Sequence, residues 1–275
     1  MPGGYPTLLN VSGGVSYGVL GYPLGTNIPP SLTASTKGSW TQITASTTQD
    51  CTLLDIFANQ RQVTGRSVAS IDIGIGASGS ENILIPDLVL CNPGENAASR
   101  WILPINIPSG TRISARSQAL GTATGVICTV LLTTYDGGFT QDEGFAGVDT
   151  MGFISASTAG TTLTPGVAAN AKGSYAQLIA STTRDYIGVF GAVDLLGASS
   201  GVETYWIDVA VGASGSEQII VPQWGVYLWD VTDSNMQFIP VIIPAGTRVS
   251  ARAGSADGTG GGALNIGFTL YGVYQ

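Results

Sequence analysis

The chain has 275 residues, with 10 Lys and Arg against 18 Asp and Glu, no histidine, and a net charge of −8. Charged residues are 10% of the total, against about 25% in ordinary soluble domains. This excludes Ser-His and Cys-His nucleophiles and histidine metal ligands, and it leaves no clustered Lys and Arg to meet a nucleic-acid backbone.

A mean hydropathy of +0.29 is high, yet no segment holds the roughly 18–20 unbroken apolar residues of a spanning helix, so no membrane partner is expected. Residues 1–10 show neither the basic region nor the apolar core of a signal peptide. The surface is expected to be a neutral skin of Ser, Thr, Asn, Gln and Gly, much of it buried against other subunits.

In chain order, residues 1–24 form an uncharged lead-in that carries Leu8, Leu9, Val11, Val15, Tyr17, Val19 and Leu20. Alone it buries too little to offset an ordering cost of about 1–2 kcal/mol per residue. It is expected to be ordered by contact with another subunit. Residues 25–135 are the first of two copies of one domain. Residues 136–159 read as a linker holding Asp142, Glu143 and Asp149, and residues 160–275 are the second copy.

The duplication is explicit. Ile71–Pro86 (IDIGIGASGSENILIP) returns 136 residues later as Ile207–Pro222 (IDVAVGASGSEQIIVP), with ten of sixteen positions identical. Pro104–Arg116 returns at the same offset as Pro240–Arg252, and Lys37-Gly38-Ser39 returns as Lys172-Gly173-Ser174. A repeat of this length is a whole small domain rather than a solenoid unit of roughly 20–50 residues. Within each copy apolar residues alternate, as in Ile71, Ile73, Ile75 and Ile207, Val209, Val211, and a Gly/Ser turn leads into a second alternating run ended by Pro86 or Pro222. Further strands are predicted at 101–107, 112–117 and 127–135, with counterparts at 238–243, 248–253 and 265–273. No helical period is sustained. The predicted fold is all-β: two tandem antiparallel β-sandwiches of jelly-roll type. Cys51, Cys91 and Cys128 align with Tyr186, Tyr227 and Leu264, so the second copy needs none of them, and buried reduced thiols are expected.

The run Gly74-Ile75-Gly76-Ala77-Ser78-Gly79 matches the G-x-G-x-x-G phosphate fingerprint, but that motif requires a helix at its third glycine. Here a strand follows, and Ala210 replaces the first glycine in the second copy, so a hairpin turn is expected and no cofactor. The acids present in both copies are Asp50/Asp185, Asp72/Asp208 and Glu81/Glu217; the shared bases are Lys37/Lys172, Arg112/Arg248 and Arg116/Arg252. Their joint retention reads as structural ion pairing. Asp230 and Asp233 resemble a fragment of a calcium loop without the Gly and terminal Glu of an EF-hand, so no metal site is assigned. With no catalytic set in view, the chain is expected not to be an enzyme. The second copy alone carries Tyr205, Trp206, Trp224, Tyr227 and Trp229. These are candidates for a protein interface or for stacking on sugar rings, with core packing as the alternative.

The GASGSE turn and the PxGTRxSAR stretch resemble segments of virion structural proteins of tailed bacteriophages, where such strings lie in β-sandwich domains of capsid or tail components. These motifs specify strands and turns, so the resemblance carries over no site residue. It implies a homo-oligomeric virion protein, with a trimer favoured because three duplicated chains present six similar modules. Its partners would be itself and other virion proteins such as the major capsid protein. Capsid decoration is the leading expectation, followed by a tail or baseplate component and then by a carbohydrate-binding host-recognition module.

Overall fold

The computed structural model describes residues 14–18, 25–62, 67–92, 97–119, 126–135, 145–153, 160–195, 203–228 and 235–275. Apart from one turn of 3-10 helix at Thr259–Gly261, its regular structure is β throughout. Among these residues no helix is long and apolar enough to cross a membrane.

The first sandwich contains β1 (Val15–Tyr17), β2 (Thr26–Ile28), β3 (Thr41–Thr44), β4 (Leu53–Gln62), β5 (Ser67–Ile75), β6 (Asn82–Asn92), β7 (Ala97–Leu103), β8 (Ile113–Ala119) and β9 (Val126–Tyr135). One sheet runs β1-β9-β4-β7 with β2 also on β9, and the other runs β3-β8-β5-β6; all the paired strands are antiparallel. The second sandwich repeats this with β10 (Gly147–Met151), β11 (Thr161–Leu163), β12 (Ala176–Ile179), β13 (Gly188–Leu195), β14 (Glu203–Val211), β15 (Gln218–Leu228), β16 (Asn235–Ile239), β17 (Val249–Ser255) and β18 (Ile266–Tyr274). Its sheets run β10-β18-β13-β16, with β11 on β18, and β12-β17-β14-β15. The all-β sandwich expectation holds.

The alternating residues do what period-two patterning requires. Leu54, Ile56 and Ala58 of β4, and Ile71 and Ile73 of β5, are fully buried between the first pair of sheets. Val189 and Val193 of β13, with Ile207 and Val209 of β14, are buried in the second.

Several expectations are corrected. Residues 15–17 of the supposed lead-in are β1, paired with β9 of their own chain, and Tyr17 is buried there with its hydroxyl accepting the Thr48 N–H at 2.8 Å. Alternating Val15 and Tyr17 can complete a sheet edge without a partner subunit; residues 1–13 and 19–24 lie outside the described residues. Residues 147–151, placed in the linker, are the equivalent strand β10 on β18. The strand expected over 101–107 stops at Leu103, before Pro104, which has no N–H for a ladder; Ile105 and Ile107 then make isolated bridges to Phe145 and Cys51. The strands after the turns run through Pro86 and Pro222 instead of ending there. Both are edge strands, where a proline is tolerated at a bulge, and the register shifts at these points. Finally, Cys128 lies opposite Gln60 while Ile266 lies opposite Leu195, so Cys128 corresponds to Ile266 rather than Leu264. The chain between β17 and β18 holds two residues more than its counterpart.

The two sandwiches pack closely. Val148, Phe190, Ala192, Tyr271 and Val273, from the outer face of the β10-β18-β13-β16 sheet, join the same apolar cluster as the first core. They lie against edge strand β6. Phe145 hydrogen-bonds the first sandwich at Pro104 and Asn106, and its ring lies 5.6 Å from that of Phe238.

Candidate functional site

The charges shared by the copies form two pairs of matching networks. In the first sandwich Asp72, buried on β5, accepts Lys37 Nζ at 2.7 Å, Arg116 Nε at 2.8 Å and the Asp87 N–H at 2.8 Å. In the second, Asp208 accepts Lys172 Nζ at 3.0 Å, Arg252 Nε at 2.9 Å and the Gln223 N–H at 2.9 Å. Asp87 and Gln223 both have positive φ, 51° and 46°, and their N–H groups are satisfied by these buried carboxylates. The Lys-Gly pair is kept because a Cβ at Gly38 or Gly173 would strike the backbone oxygen of Pro29 or Thr164.

The guanidiniums stack as well: Arg116 lies 4.6 Å from the Trp40 ring and Arg252 4.6 Å from the Tyr175 ring. This explains the broken glycine motif. A Cβ at Gly74 would come within 2.7 Å of the Trp40 indole, while the smaller Tyr175 leaves room for Ala210, which is fully buried. The glycine answers to an indole. At the turns, Glu81 accepts the Gly79 N–H at 3.0 Å and Arg112 Nη1 at 2.9 Å, and Arg112 also donates to Gly76 O. Glu217, Gly215, Arg248 and Gly212 repeat the arrangement. Asp50 and Asp185 accept the N–H groups of Ser109 and Ala245 at 2.7 Å each.

These contacts set the protonation behaviour. Burial alone would raise the Asp208 carboxyl, but the Gln223 N–H, Lys172 and Arg252 outweigh it and hold it below the usual range. Glu81 is likewise lowered: desolvation is opposed by its own N–H, Arg112 and Gly79. Glu217 is lowered first by its own N–H, then by Gly215 and Arg248 against desolvation. Burial lowers Lys172 despite Asp208, and it pushes Tyr186 up to about 12, with Asp149 adding to the rise.

The first copy holds one extra acid that sequence comparison passed over. Asp87, where the second copy has Gln223, also meets Lys37 and accepts the Ser70 hydroxyl at 3.3 Å. The signal was the Asp/Gln difference at an otherwise matched position. Among the described residues no group of three metal-ligand side chains assembles. Asp142, Glu143, Asp230 and Asp233 lie outside the described residues.

The aromatic candidates do not form one group. Tyr205 is fully buried, with its hydroxyl at Leu264 O (3.1 Å). Trp206 is half-buried over Gly254, where a Cβ would come within 2.7 Å of its Nε1. Trp224 is half-buried against the second core. Tyr227 is 53% exposed on β15. Trp229 lies outside the described residues. Burial of Tyr205 removes it from any contact surface, and what remains is an edge strand bearing Tyr227 with Trp224 beside the core.

No protein-family model and no curated protein matches the chain. Among solved structures it is similar to PNGF-II, at 11% identity and TM-score 0.43, covering 94% of this chain and 65% of that one. It is also similar to a peptide-N(4)-(N-acetyl-β-D-glucosaminyl) asparagine amidase, at 9% identity and TM-score 0.39, covering 95% and 96%. A third is the CBM22-1–CBM22-2 tandem domain of Paenibacillus barcinonensis Xyn10C, at 6% identity and TM-score 0.28, covering 88% and 84%. The chain thus spans about two thirds of the length of PNGF-II. The expectation that the chain is not an enzyme is corrected by these comparisons, since the similar structures include an amidase. Likeness at this level assigns no reaction to this chain.

Proposed function

We propose that the chain is a self-associating structural protein of a virus particle, of the tailed-phage kind its motifs resemble, and that it decorates or cements the capsid exterior. The observation that carries this reading is where the charges go. The Lys and Arg residues shared by the two copies are engaged in internal networks, and a surface drawn from a sequence with only 10% charged residues stays poor in charge. Such a surface suits extended contact with neighbouring subunits, because few charges must be stripped of water on association.

Electron microscopy of intact particles labelled with an antibody to this chain tests the proposal. Label distributed over the shell supports it. Label confined to the tail moves the protein to a tail or baseplate role, and unlabelled particles overturn the reading. A second reading, carbohydrate recognition, is favoured by the exposed Tyr227 ring, since aromatic faces stack on sugar rings. A glycan array gives the answer: binding that disappears in Tyr227→Ala supports it, and an array without signal removes it.

A further inference from the structure

The contact between the two sandwiches is built from one surface of each, and the duplication leaves the complementary surfaces bare. Edge strand β6 of the first sandwich presents outward backbone groups that the second sandwich caps. Tyr271 Oη accepts the Val89 N–H at 2.9 Å and donates to Asp87 O at 2.8 Å, while Thr150 Oγ1 donates to Pro86 O at 2.8 Å. Beside it, the Asn106 N–H donates to Phe145 O at 3.3 Å.

On the second sandwich the equivalent edge is β15, with Pro222, Gln223 and Gly225 at the positions of Pro86, Asp87 and Val89. The described residues give it no such cover. Gly225 is exposed, and a Cβ there would meet nothing within 4 Å. Ile242, at the position of Asn106, is 76% exposed.

The other half of the contact is also duplicated. Thr150, Tyr271 and Phe190 stand in one row across β10, β18 and β13. The matching row across β1, β9 and β4 is Ser16, Thr133 and Asp55. Hydroxyls are kept at both capping positions, with Ser16 Oγ and Thr133 Oγ1 3.0 Å apart on an open face. Asp55 is held by Arg100 through two hydrogen bonds of 2.9 and 2.7 Å. Ile102 beside it is 50% exposed. The sizes compensate: a long tyrosine faces Val89 within the chain, whereas the shorter Thr133 would face Gly225, which lets the strand come nearer.

We infer that β15 of one copy, around Pro222–Tyr227, docks on the outer face of β1-β9-β4-β7 of a second copy, with Ser16 and Thr133 capping the β15 backbone. An uncovered edge strand is a ready template for another chain. Because the two surfaces differ and lie on different sandwiches, the contact is head-to-tail and gives either a closed ring or a filament. The inference rests on the self-association in the proposed function and names the surfaces that make it.

The test is light scattering of the full-length protein across a concentration series, with melting temperature recorded for each variant. Gly225→Glu and Thr133→Lys should each weaken self-association roughly tenfold or more without lowering the melting temperature, and the double variant should recover it, since the new charges would face each other. Wild-type protein that associates while both variants associate equally well overturns these surfaces and leaves self-association standing. A double variant that associates no better than the singles also overturns the pairing. Wild-type protein that stays monomeric throughout overturns both this inference and the self-association of the proposed function. Should Thr133→Lys misfold, Gly225→Glu with Arg100→Glu as its repelling partner supplies the second arm, and their lack of effect counts against the contact.

Discussion

Asp208 has a side chain only 4% exposed and holds two cations together with the Gln223 N–H. Asp208→Ala leaves Lys172 and Arg252 facing each other beneath the surface, and a loss of about 3–5 kcal/mol is expected in urea unfolding. The pair Trp40/Gly74 gives a finer test. Gly74→Ala alone should destabilise, Trp40→Tyr should relieve it, and the double-mutant cycle should show a coupling of about 0.5–3 kcal/mol. Protonation sets the limits in pH. Glu81, Glu217 and Asp208 ionise below their ordinary values of 4.5, 4.5 and 3.8 when folded, so the unfolded chain takes up protons first as pH falls. Their stabilisation is complete above those values and is lost as pH drops through them toward the lowered ones. Tyr186 acts at the other end. Its folded value of about 12 exceeds the ordinary 10.0, so its contribution is intact below pH 10 and lost as pH rises from there. A plot of melting temperature against pH should therefore fall at both extremes, and Tyr186→Phe should flatten the alkaline limb alone.

Strand β1 shows how an element can be hidden in a sequence. Three residues give too short an alternation to stand out, and what defines β1 is the facing row of β9, which lies more than a hundred residues away. Tyr17 ties it down through Thr48, so Tyr17→Ala should cost about 3–5 kcal/mol, as loss of a large buried ring does, with the urea midpoint as the measure. The GASGSE hairpins, by contrast, were legible because turn glycines and alternating Ile and Val are local signals. Strand β4 was legible in principle from Leu54, Ile56 and Ala58, but Asp55, which meets Arg100 of β7, places a charge within the strand and dilutes the pattern. The charged pairs could be grouped from their retention in both copies, whereas Asp87, Ser70 and Tyr271 could not, because their roles depend on which strands become neighbours. Equal numbering offsets also misled at β9 and β18, where two extra residues shift the register.

At the scale of the molecule, the first core continues into the contact between the sandwiches through Phe190, which stacks on Tyr271 at 4.6 Å. Calorimetry is expected to show one cooperative transition. Tyr271→Phe keeps the ring but strips the cap from Val89 N–H and Asp87 O, and about 1–3 kcal/mol should be lost, with the transition broadening as the halves uncouple. The order of synthesis gives this capped edge a history. The ribosome completes β6 long before it reaches Tyr271, and at about 5–20 residues per second the nascent first half waits roughly ten seconds or more with its strand edge bare. During that interval chains on one polysome can find each other through the very groups that Tyr271 and Thr150 later seal. A chain ended at residue 135 makes the interval permanent. Lacking β15 and with it the head-to-tail contact, it should still associate through the bare β6 edge, a route sealed in the complete chain, and run as early-eluting material in gel filtration.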